Sequence, residues 1–322
     1  MILTIEDLSV DFATTRGPLQ AVRNVSFSLD AGEIVGIVGE SGSGKSVTAQ
    51  SIMRLHPANG RITGGAIRYR GRSVLEMTSE ELRSFRGRQV AMIFQEPGRS
   101  FDPIYSIGKS MAETLRAHHP DLSDEDVRER SITLLEEVHV ANPAERLDNF
   151  PHQFSGGLLQ RIMIAHALAG DPDILIADEP TTALDVTIQA GIVKLLTELR
   201  RRRKLAILFI THNLALISQF ADRIVVMYGG LVMEHGPPQE VLVRPRHPYT
   251  AGLLSSLVAF GVHHSERPLH ILAGSPPDPT KPEPGCPFAP RCPLVAEECL
   301  RAVPPIRQEQ ASLVRCVVEG PK

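Results

Sequence analysis

The sequence predicts an α/β fold with a mostly parallel sheet, and three features of the chain support this class. Apolar runs typical of buried strands alternate with segments of helical periodicity through most of residues 30–230. One of these runs, Ile34–Val38, leads directly into a glycine-rich loop. The composition changes after about Gly236, since 16 of the 25 prolines lie from Pro237 onward. We therefore expect one α/β domain over 1–236 and a C-terminal extension over 237–322.

The predicted elements follow this order along the chain. Two short strands, 3–10 and 21–29, flank the turn-prone segment 14–18. Residues of about 98–170 interrupt the alternation with helical patterns and form an inserted helical subdomain. Further strands are predicted at 34–38, 65–69, 90–94, 173–178, 206–210 and 223–228. Helices are predicted at 47–55, from 79, at 111–115, at 131–138 and at 188–199, which ends in the basic run 200–204. We interpret that run as a solvated helix end, and Glu136 and Glu137 as an exposed helix face.

The glycine-rich loop is a phosphate-binding motif set between a strand and a helix. Its residues are Gly39-Glu40-Ser41-Gly42-Ser43-Gly44-Lys45-Ser46, followed by Val47 in the helix. Glycines let backbone N–H groups approach phosphates, and the helix adds its positive N-terminal end. Lys45 would bind the β- and γ-phosphates, and the Ser46 hydroxyl would complete the Mg²⁺ shell. Residues 39–47 are thus predicted to bind a nucleoside triphosphate.

Two carboxylates, Asp178 and Glu179, end a later buried strand. An aspartate there can reach Mg²⁺, and a glutamate one residue further can position the attacking water. Two carboxylates at the end of a strand are common when taken alone. Together with the upstream phosphate-binding motif they indicate nucleotide hydrolysis.

Composition and charge restrict the class of partner. A formal net charge of −3 predicts no nucleic-acid-binding surface on the scale of the whole chain. No apolar run approaches the ~18 residues that a membrane span needs, and the N-terminus lacks a signal-peptide pattern. We expect a cytoplasmic protein that works at a membrane only through partners.

Five further motifs, in the family's order, resemble those of the ABC-transporter ATPases over about residues 1–235. They are Phe12 (the aromatic that stacks on adenine), Gln95 (the Q-loop), Phe154-Ser155-Gly156-Gly157-Leu158-Leu159-Gln160-Arg161 (the signature), Ala183-Leu184-Asp185 (the D-loop) and His212 (the switch histidine). The resemblance implies a P-loop NTPase (RecA-like) core with an antiparallel β subdomain and the inserted helical subdomain. The chain departs from the family pattern at Leu158, in the segment 96–103, and at Asn213, where aspartate is common.

The resemblance also implies a role for each matching residue. Two ATPase domains would face head to tail, with ATP held between the loop of one and Ser155-Gly156-Gly157 of the other. Glu179 would be the catalytic carboxylate, His212 would contact the γ-phosphate, and Gln95 would touch Mg²⁺ or water. Ser46 and Asp178 would complete the Mg²⁺ site, and Asp185 would join the nucleotide site through the D-loop.

A narrower resemblance connects the chain to the dipeptide/oligopeptide/nickel importer ATPases. It rests on the loop, on Phe94-Gln95-Glu96-Pro97, on Arg246-His247-Pro248-Tyr249-Thr250 and on the cysteine-containing tail. It implies ATP-driven uptake of peptides or a related small solute, with the chain at the cytoplasmic face of the membrane. The implied partners are a second ATPase subunit (more often a different chain), two transmembrane permease subunits and an extracytoplasmic solute-binding protein.

The four cysteines, Cys286, Cys292, Cys299 and Cys316, all lie in the extension. Their spacing matches neither zinc-ribbon knuckles nor a ferredoxin run, and four thiolates suit iron–sulfur or Zn²⁺ equally. From the residues alone, three states of the cysteines are possible: an iron–sulfur cluster, a zinc site or unligated thiols. The importer resemblance implies a [4Fe–4S] cluster, because some members hold one on these four positions.

The same sequence features give less support to two other functions. A soluble ABC ATPase of translation or DNA repair usually has two ATPase domains or long coiled-coil insertions, whereas this chain has one phosphate-binding loop and no heptad run. A regulatory subunit that binds ATP without turnover would have lost Glu179 or His212, and both are present. We therefore expect the ATP-hydrolysing subunit of an importer.

Overall fold

The computed structural model describes residues 1–182, 184–256 and 272–318. Its strands are β1 Leu3–Thr14, β2 Gly17–Leu29, β3 Ile34–Val38, β4 Gly60–Tyr69, β5 Arg72–Ser73, β6 Val90–Ile93, β7 Ile174–Asp178, β8 Ala206–Thr211, β9 Arg223–Tyr228, β10 Leu231–Gly236, β11 Arg307–Glu309 and β12 Ser312–Val314. The predicted strands are present, and the order of strands and helices is that of an α/β protein.

The α-helices are more numerous than the periodicity predicted, and those at the predicted segments 111–115, 131–138 and 188–199 are longer than these segments. They are α1 Lys45–Ile52, α2 Ser79–Arg88, α3 Pro97–Ser100, α4 Ile107–His118, α5 Asp124–Glu137, α6 Pro143–Arg146, α7 Gly156–Ala167, α8 Val186–Arg203, α9 Leu214–Ile217, α10 Pro248–Ser255 and α11 Glu297–Arg301. Short 3₁₀ helices lie at Pro151–Gln153, Leu168–Gly170 and Ala289–Arg291, and a π-helical turn lies at Gln239–Val243. No helix in the described ranges combines the length and apolar composition that crossing a bilayer requires.

The chain divides into two compact units. Unit 1 comprises Met1–Leu29, Ile34–Leu75 and Thr211–Lys322, and unit 2 comprises Asp30–Glu33 and Glu76–Ile210. The predicted boundary near Gly236 falls inside unit 1 and stays a prediction.

Unit 1 contains an antiparallel sheet in the order β2, β1, β4, β5. The β1–β2 hairpin pairs up to Thr14 and Gly17, so its turn is shorter than the predicted segment 14–18. Beside it, β3 pairs in parallel with β9, and β9, β10, β12 and β11 continue as antiparallel neighbours. Strand β3 is buried along its whole length, as its run of isoleucine and valine predicts. The extension thus contributes two strands to the unit that carries the phosphate-binding loop.

Unit 2 is built on the parallel strands β6, β7 and β8. Helices α3 to α7 lie between β6 and β7 in the chain, where the sequence predicts the helical subdomain. Ser123 caps α5 through a reciprocal capping box with Asp126, which explains why this helix starts well before the predicted segment 131–138. Helix α8 buries Ile192, Leu195, Leu196 and Leu199, which confirms its predicted apolar face.

Candidate nucleotide-binding site

The phosphate-binding loop of unit 1 has a backbone that only glycine can adopt. Gly39 has φ 152° and Gly44 has φ 98°. A Cβ on Gly39 would lie 2.1 Å from the Met227 carbonyl oxygen, and one on Gly44 would lie 2.5 Å from that of Ala21. The loop is therefore packed against β9 and β2 at separations that exclude any side chain.

Lys45 points its ammonium group into this loop. Its Nζ donates to the carbonyl oxygens of Gly39 and Glu40, both at 2.8 Å, and to Oγ of Ser43 at 3.3 Å. The residue is only 5% exposed. Since an ammonium has three protons, the loop oxygens can satisfy all of them and hold a cation inside the loop. This arrangement fits the recognition of phosphate.

Helix α1 begins at Lys45, at the end of the loop. Its N-cap, Gly44, provides no side-chain capping bond, and its first turn contains no acidic residue. The positive end of the helix is therefore available to an anion. Ser46 and Val47, both half-buried, lie in this first turn. The serine hydroxyl is a hard oxygen ligand of the type that Mg²⁺ takes.

Phe12 lies in unit 1 on β1, where it pairs with Leu19 and Gly60. Its ring contacts the His56 ring edge-on, with centroids 6.2 Å apart. A Cβ on Gly60 would lie 2.6 Å from the Phe12 ring, so the ring covers this glycine. Phe12 also lines an open pocket formed by the β1–β2 hairpin and the start of β4.

Unit 2 brings Gln95 and Glu179 together. Nε2 of Gln95 donates to Oε2 of Glu179 at 3.1 Å, and the Thr182 hydroxyl donates to the same oxygen at 2.8 Å. Glu179 has φ 48°, a conformation that non-glycine residues adopt only when their surroundings hold them there. Its N–H bonds the Ile210 carbonyl oxygen at 3.0 Å, which anchors this backbone. Asp178, the last residue of β7, is 7% exposed.

The signature residues stand at the start of α7 in unit 2. Ser155 is the N-cap residue, makes no side-chain capping bond, and is exposed together with Gly156. A Cβ on Gly157 would lie 2.6 Å from Cγ2 of Ile188, so this glycine lets α7 approach α8 closely. Asp185 caps α8 by accepting the Ile188 N–H at 2.9 Å. Ala183 of the D-loop lies outside the described residues.

His212 directly follows β8 and is exposed. Asn213, where the family commonly has aspartate, accepts the Leu216 N–H at 3.0 Å and caps α9. Asparagine caps helices as well as aspartate does, so the departure retains the local structure.

The cysteines of the extension do not form a metal site. Burial raises the pKa of Cys286 to about 11 and also raises the pKa values of Cys292 and Cys316, so these thiols stay protonated near neutral pH. Among the described residues, which include all four cysteines, no group of three or more histidine, cysteine or acidic side chains could hold a metal ion. The structure therefore contradicts the prediction of a [4Fe–4S] cluster on Cys286, Cys292, Cys299 and Cys316, and that prediction is wrong.

Backbone contacts hold this part of the extension instead. The Cys286 N–H donates to the Cys299 carbonyl oxygen at 2.7 Å, and a Cβ on Gly285 would lie only 2.1 Å from that oxygen. All four cysteines are free, and three of them are buried. A buried free cysteine packs as a small apolar side chain.

Three residues outside helix α1 that sequence reasoning did not assign to the site form hydrogen bonds through their own side chains with predicted site residues. They are Thr182 on Glu179, and Tyr249 and Arg291 on Glu40. Tyr249 lies in the noted run 246–250, and Arg291 directly precedes Cys292, but neither pattern indicates a contact with the loop. The Arg291–Glu40 pair spans 251 residues of sequence.

The strand, the glycine loop with its buried lysine, and the strand-end carboxylates define an α/β protein of the nucleotide-hydrolysing P-loop class. Comparison with known proteins specifies the family. The family model of the ABC transporter matches residues 22–182, and that of the oligopeptide/dipeptide transporter C-terminal region matches residues 233–299. The chain belongs to the ABC-transporter ATP-binding family, in its oligopeptide/dipeptide branch, and is an ATPase of that type.

Similar proteins cover nearly the whole chain. A putative peptide import ATP-binding protein of Brucella abortus is 45% identical over 98% of this chain and 94% of its own length. A dipeptide transport ATP-binding protein of Bacillus subtilis is 45% identical over 94% and 90%. An oligopeptide transport ATP-binding protein of the same organism is 45% identical over 89% and 80%.

The structural comparison confirms the predicted fold. An ATP-binding cassette solved as a dimer in a post-hydrolysis state, bound to ADP and phosphate, aligns with a TM-score of 0.66 at 26% identity. The alignment covers 73% of this chain and 98% of that one.

Proposed function

We propose that this chain is the ATP-hydrolysing subunit of an importer for dipeptides or oligopeptides. The observation that carries the proposal is the presence, in one chain, of the ABC-transporter match and of the C-terminal region found in oligopeptide/dipeptide transporters. The relatives named above carry peptide transport in their own names. The geometry of the loop and of Glu179 supports the hydrolytic part of the proposal.

In unit 1, the loop would bind the phosphates of ATP. The end of α1 would supply fixed partial charges, and Lys45 would supply a full charge. The Lys45 ammonium would exchange its bonds to Gly39 and Glu40 for bonds to the β- and γ-phosphates. Ser46 would supply a Mg²⁺ ligand, and Phe12 would stack on adenine. His212 would contact the γ-phosphate.

In unit 2, Glu179 would position the attacking water. Its carboxylate accepts hydrogen bonds from Gln95 and Thr182 at Oε2, which fix its direction, and a carboxylate held in this way can take a proton from water. Asp178 and Gln95 present oxygen atoms of the hard type that Mg²⁺ prefers. When bound, Mg²⁺ would neutralise charge that develops on the phosphates.

The signature residues would act on the ATP of a second ATPase subunit. Ser155 and Gly156 are exposed at the start of a twelve-residue helix, so their N–H groups can reach an anion outside this chain. Asp185, exposed at the start of α8, would lie at the same contact between subunits. We propose that the second subunit is a different chain of the same branch.

The remaining partners would be two transmembrane permease subunits and an extracytoplasmic solute-binding protein. Because no helix of the described ranges is suited to a bilayer, the permease would carry the cargo path. The chain would lie at the cytoplasmic face of the membrane, with the helical subdomain on the permease. The proposed transport function involves no nucleic acid.

The experiment is uptake of a radiolabelled dipeptide or tripeptide into proteoliposomes that hold the complete complex, with ATP inside and binding protein outside. We expect uptake and ATP hydrolysis that both depend on the binding protein, and loss of both with Lys45→Ala. If ribosomes or nucleic acid stimulate hydrolysis and no peptide is taken up, this proposal is wrong. The chain would then be a soluble ABC ATPase of translation or DNA repair.

A further inference from the structure

Two side chains of the extension contact Glu40, the second residue of the phosphate-binding loop. One terminal nitrogen of the Arg291 guanidinium donates to Oε2 of Glu40 at 2.8 Å, and the other donates to Oε1 at 3.1 Å. The Tyr249 hydroxyl accepts the backbone N–H of Glu40 at 2.9 Å. The extension therefore holds this loop residue at both its carboxylate and its backbone.

Arg291 is fixed on every side. Besides Glu40, it donates to the carbonyl oxygens of Ala273 and Leu272 at 2.8 and 3.2 Å and to the Tyr228 hydroxyl at 2.9 Å. These five bonds use all five N–H donors of a guanidinium. Its side chain is 5% exposed and that of Glu40 is 23% exposed, so water screens the pair weakly. A bidentate pair of this kind fixes direction as well as distance.

An aromatic cluster holds the extension in this position. Tyr228 of β9 packs on Tyr249 and Phe288, with ring centroids 4.5 and 5.5 Å apart, and the last two rings are 5.3 Å apart. All three residues are at most 1% exposed. Moving Arg291 away from the loop would expose these rings, which disfavours the motion.

Glu40 connects Arg291 with Lys45. The carbonyl oxygens of Gly39 and Glu40 are the two acceptors at 2.8 Å from the Lys45 ammonium. A shift of Glu40 therefore changes where this ammonium lies. The charge of Arg291 also favours nucleotide binding. An unpaired Glu40 carboxylate in the loop would repel incoming phosphates, and Arg291 neutralises this carboxylate.

We propose that Arg291 is a positioning residue for nucleotide binding, and that by fixing and neutralising Glu40 it makes the affinity of the loop for ATP depend on the extension. This inference rests on the proposed function, which assigns ATP to the loop. Because coupling between sites is reciprocal, a nucleotide on the loop would also stabilise the extension.

The test measures the affinity of the full-length chain for the non-hydrolysable analogue AMP-PNP with Mg²⁺, by equilibrium dialysis. We expect Arg291→Gln to weaken binding about 10-fold, the effect of losing one charge-assisted contact. The matched control is Arg301→Gln, an exposed arginine of the same extension that pairs only with Glu297 among the contacts seen in the described residues. It should bind within about twofold of the wild type.

The double variant Glu40→Gln/Arg291→Gln separates charge pairing from general damage to the extension. Removing the unpaired carboxylate should return affinity to within about threefold of the wild type, which a purely structural role of Arg291 would not produce. Unchanged binding in Arg291→Gln, or no recovery in the double variant, would overturn the inference.

Circular dichroism establishes which variants fold. If Arg291→Gln does not fold, Arg291→Lys takes its place, because lysine keeps the charge but loses the fork that fixes Glu40. A loss of about threefold would support the inference, and wild-type affinity would contradict it. A wild-type chain that fails to bind AMP-PNP would contradict the proposed function instead.

Discussion

The side-chain amide of Gln95 donates a 3.1 Å hydrogen bond from Nε2 to Oε2 of Glu179, although 84 residues separate them in the chain. Gln95 follows β6 and Glu179 follows β7, and these two strands are parallel neighbours. Their carboxyl ends therefore lie at the same edge of the sheet, where α/β proteins place ligands. The helical subdomain lies between these two residues in the chain. A movement of this subdomain could therefore shift Gln95 and, through its hydrogen bond, the Glu179 carboxylate.

We predict that Glu179→Gln leaves nucleotide binding intact and strongly reduces turnover. An amide keeps the size of the side chain but does not accept a proton, so hydrolysis should fall by about 10²–10⁴. ATP hydrolysis by the complex and AMP-PNP affinity of the chain are the two measurements. Glu136→Gln, on the exposed side of α5, is the control and should hydrolyse as the wild type does. Full turnover in Glu179→Gln would remove the assigned role.

A second prediction concerns the loop glycines. Gly39→Ala should lower the free energy of unfolding by about 2–4 kcal/mol, since its Cβ would meet the Met227 carbonyl oxygen at 2.1 Å and its φ is 152°. Gly98→Ala is the matched control: Gly98 has no neighbouring atom within 4 Å of a Cβ and lies in α3. It should change stability by less than about 0.5 kcal/mol. Urea denaturation measures both, and equal effects would contradict the close approach at Gly39.

The strands that carry the site were predictable because their signals are local. Strand β3 is a buried apolar run followed by a glycine loop, and β7 is another run that ends in two carboxylates. The helices of the inserted subdomain were only partly predictable, because polar caps set their starts. Helix α5 begins at Asp124, far from its apolar centre, since Ser123 and Asp126 form a capping box.

Long-range contacts were not predictable from the sequence. Nothing local pairs Arg291 with Glu40 across 251 residues, or indicates that Tyr249 bonds the loop. The cysteines show the opposite error: four thiols within 31 residues suggested a metal site, whereas the described residues contain no group of three or more histidine, cysteine or acidic side chains that could hold a metal ion. Spacing indicates the direction of side chains in a regular helix or strand, but it does not do so in the irregular segments that carry three of the four cysteines.

The basic run at the end of α8 gives a third prediction. We interpreted it as solvated, but Arg203 forms a bidentate pair with Glu137, at 2.8 and 2.9 Å, and bonds Asp171 at 3.0 Å. Both members of the bidentate pair are largely buried, at 22% and 26% side-chain exposure. Arg203→Gln should lower the free energy of unfolding by about 1–2 kcal/mol.

The neighbouring exposed residue provides the comparison for Arg203. Arg201→Gln lies on the same helix turn in an exposed position and should change stability by less than about 0.5 kcal/mol. Urea denaturation at low and high salt measures both variants. If the two variants lose the same stability, the Arg203–Glu137 pair has no special contribution.

The last prediction concerns pH and His247. Burial lowers the pKa of this imidazole from 6.5 to about 3, and the side chain is 1% exposed, with Nδ1 accepting the Tyr249 N–H at 3.0 Å. Between pH 6.5 and pH 3 the unfolded chain therefore binds a proton that the folded chain does not. The free energy of unfolding should fall as the pH falls through this window, by about 1.4 kcal/mol per pH unit from this group.

His247→Asn tests this dependence without removing the helix cap, because an asparagine oxygen can accept the same N–H at the start of α10. From pH 7 to pH 5 the wild type should lose about 2 kcal/mol more stability than the variant, since the lower limit lies 1.5 units below the unfolded pKa. The exposed His152 gives the control His152→Asn, whose pH dependence should match that of the wild type. Parallel stability curves for the wild type and His247→Asn would show that His247 charges as readily in the folded chain as in the unfolded one.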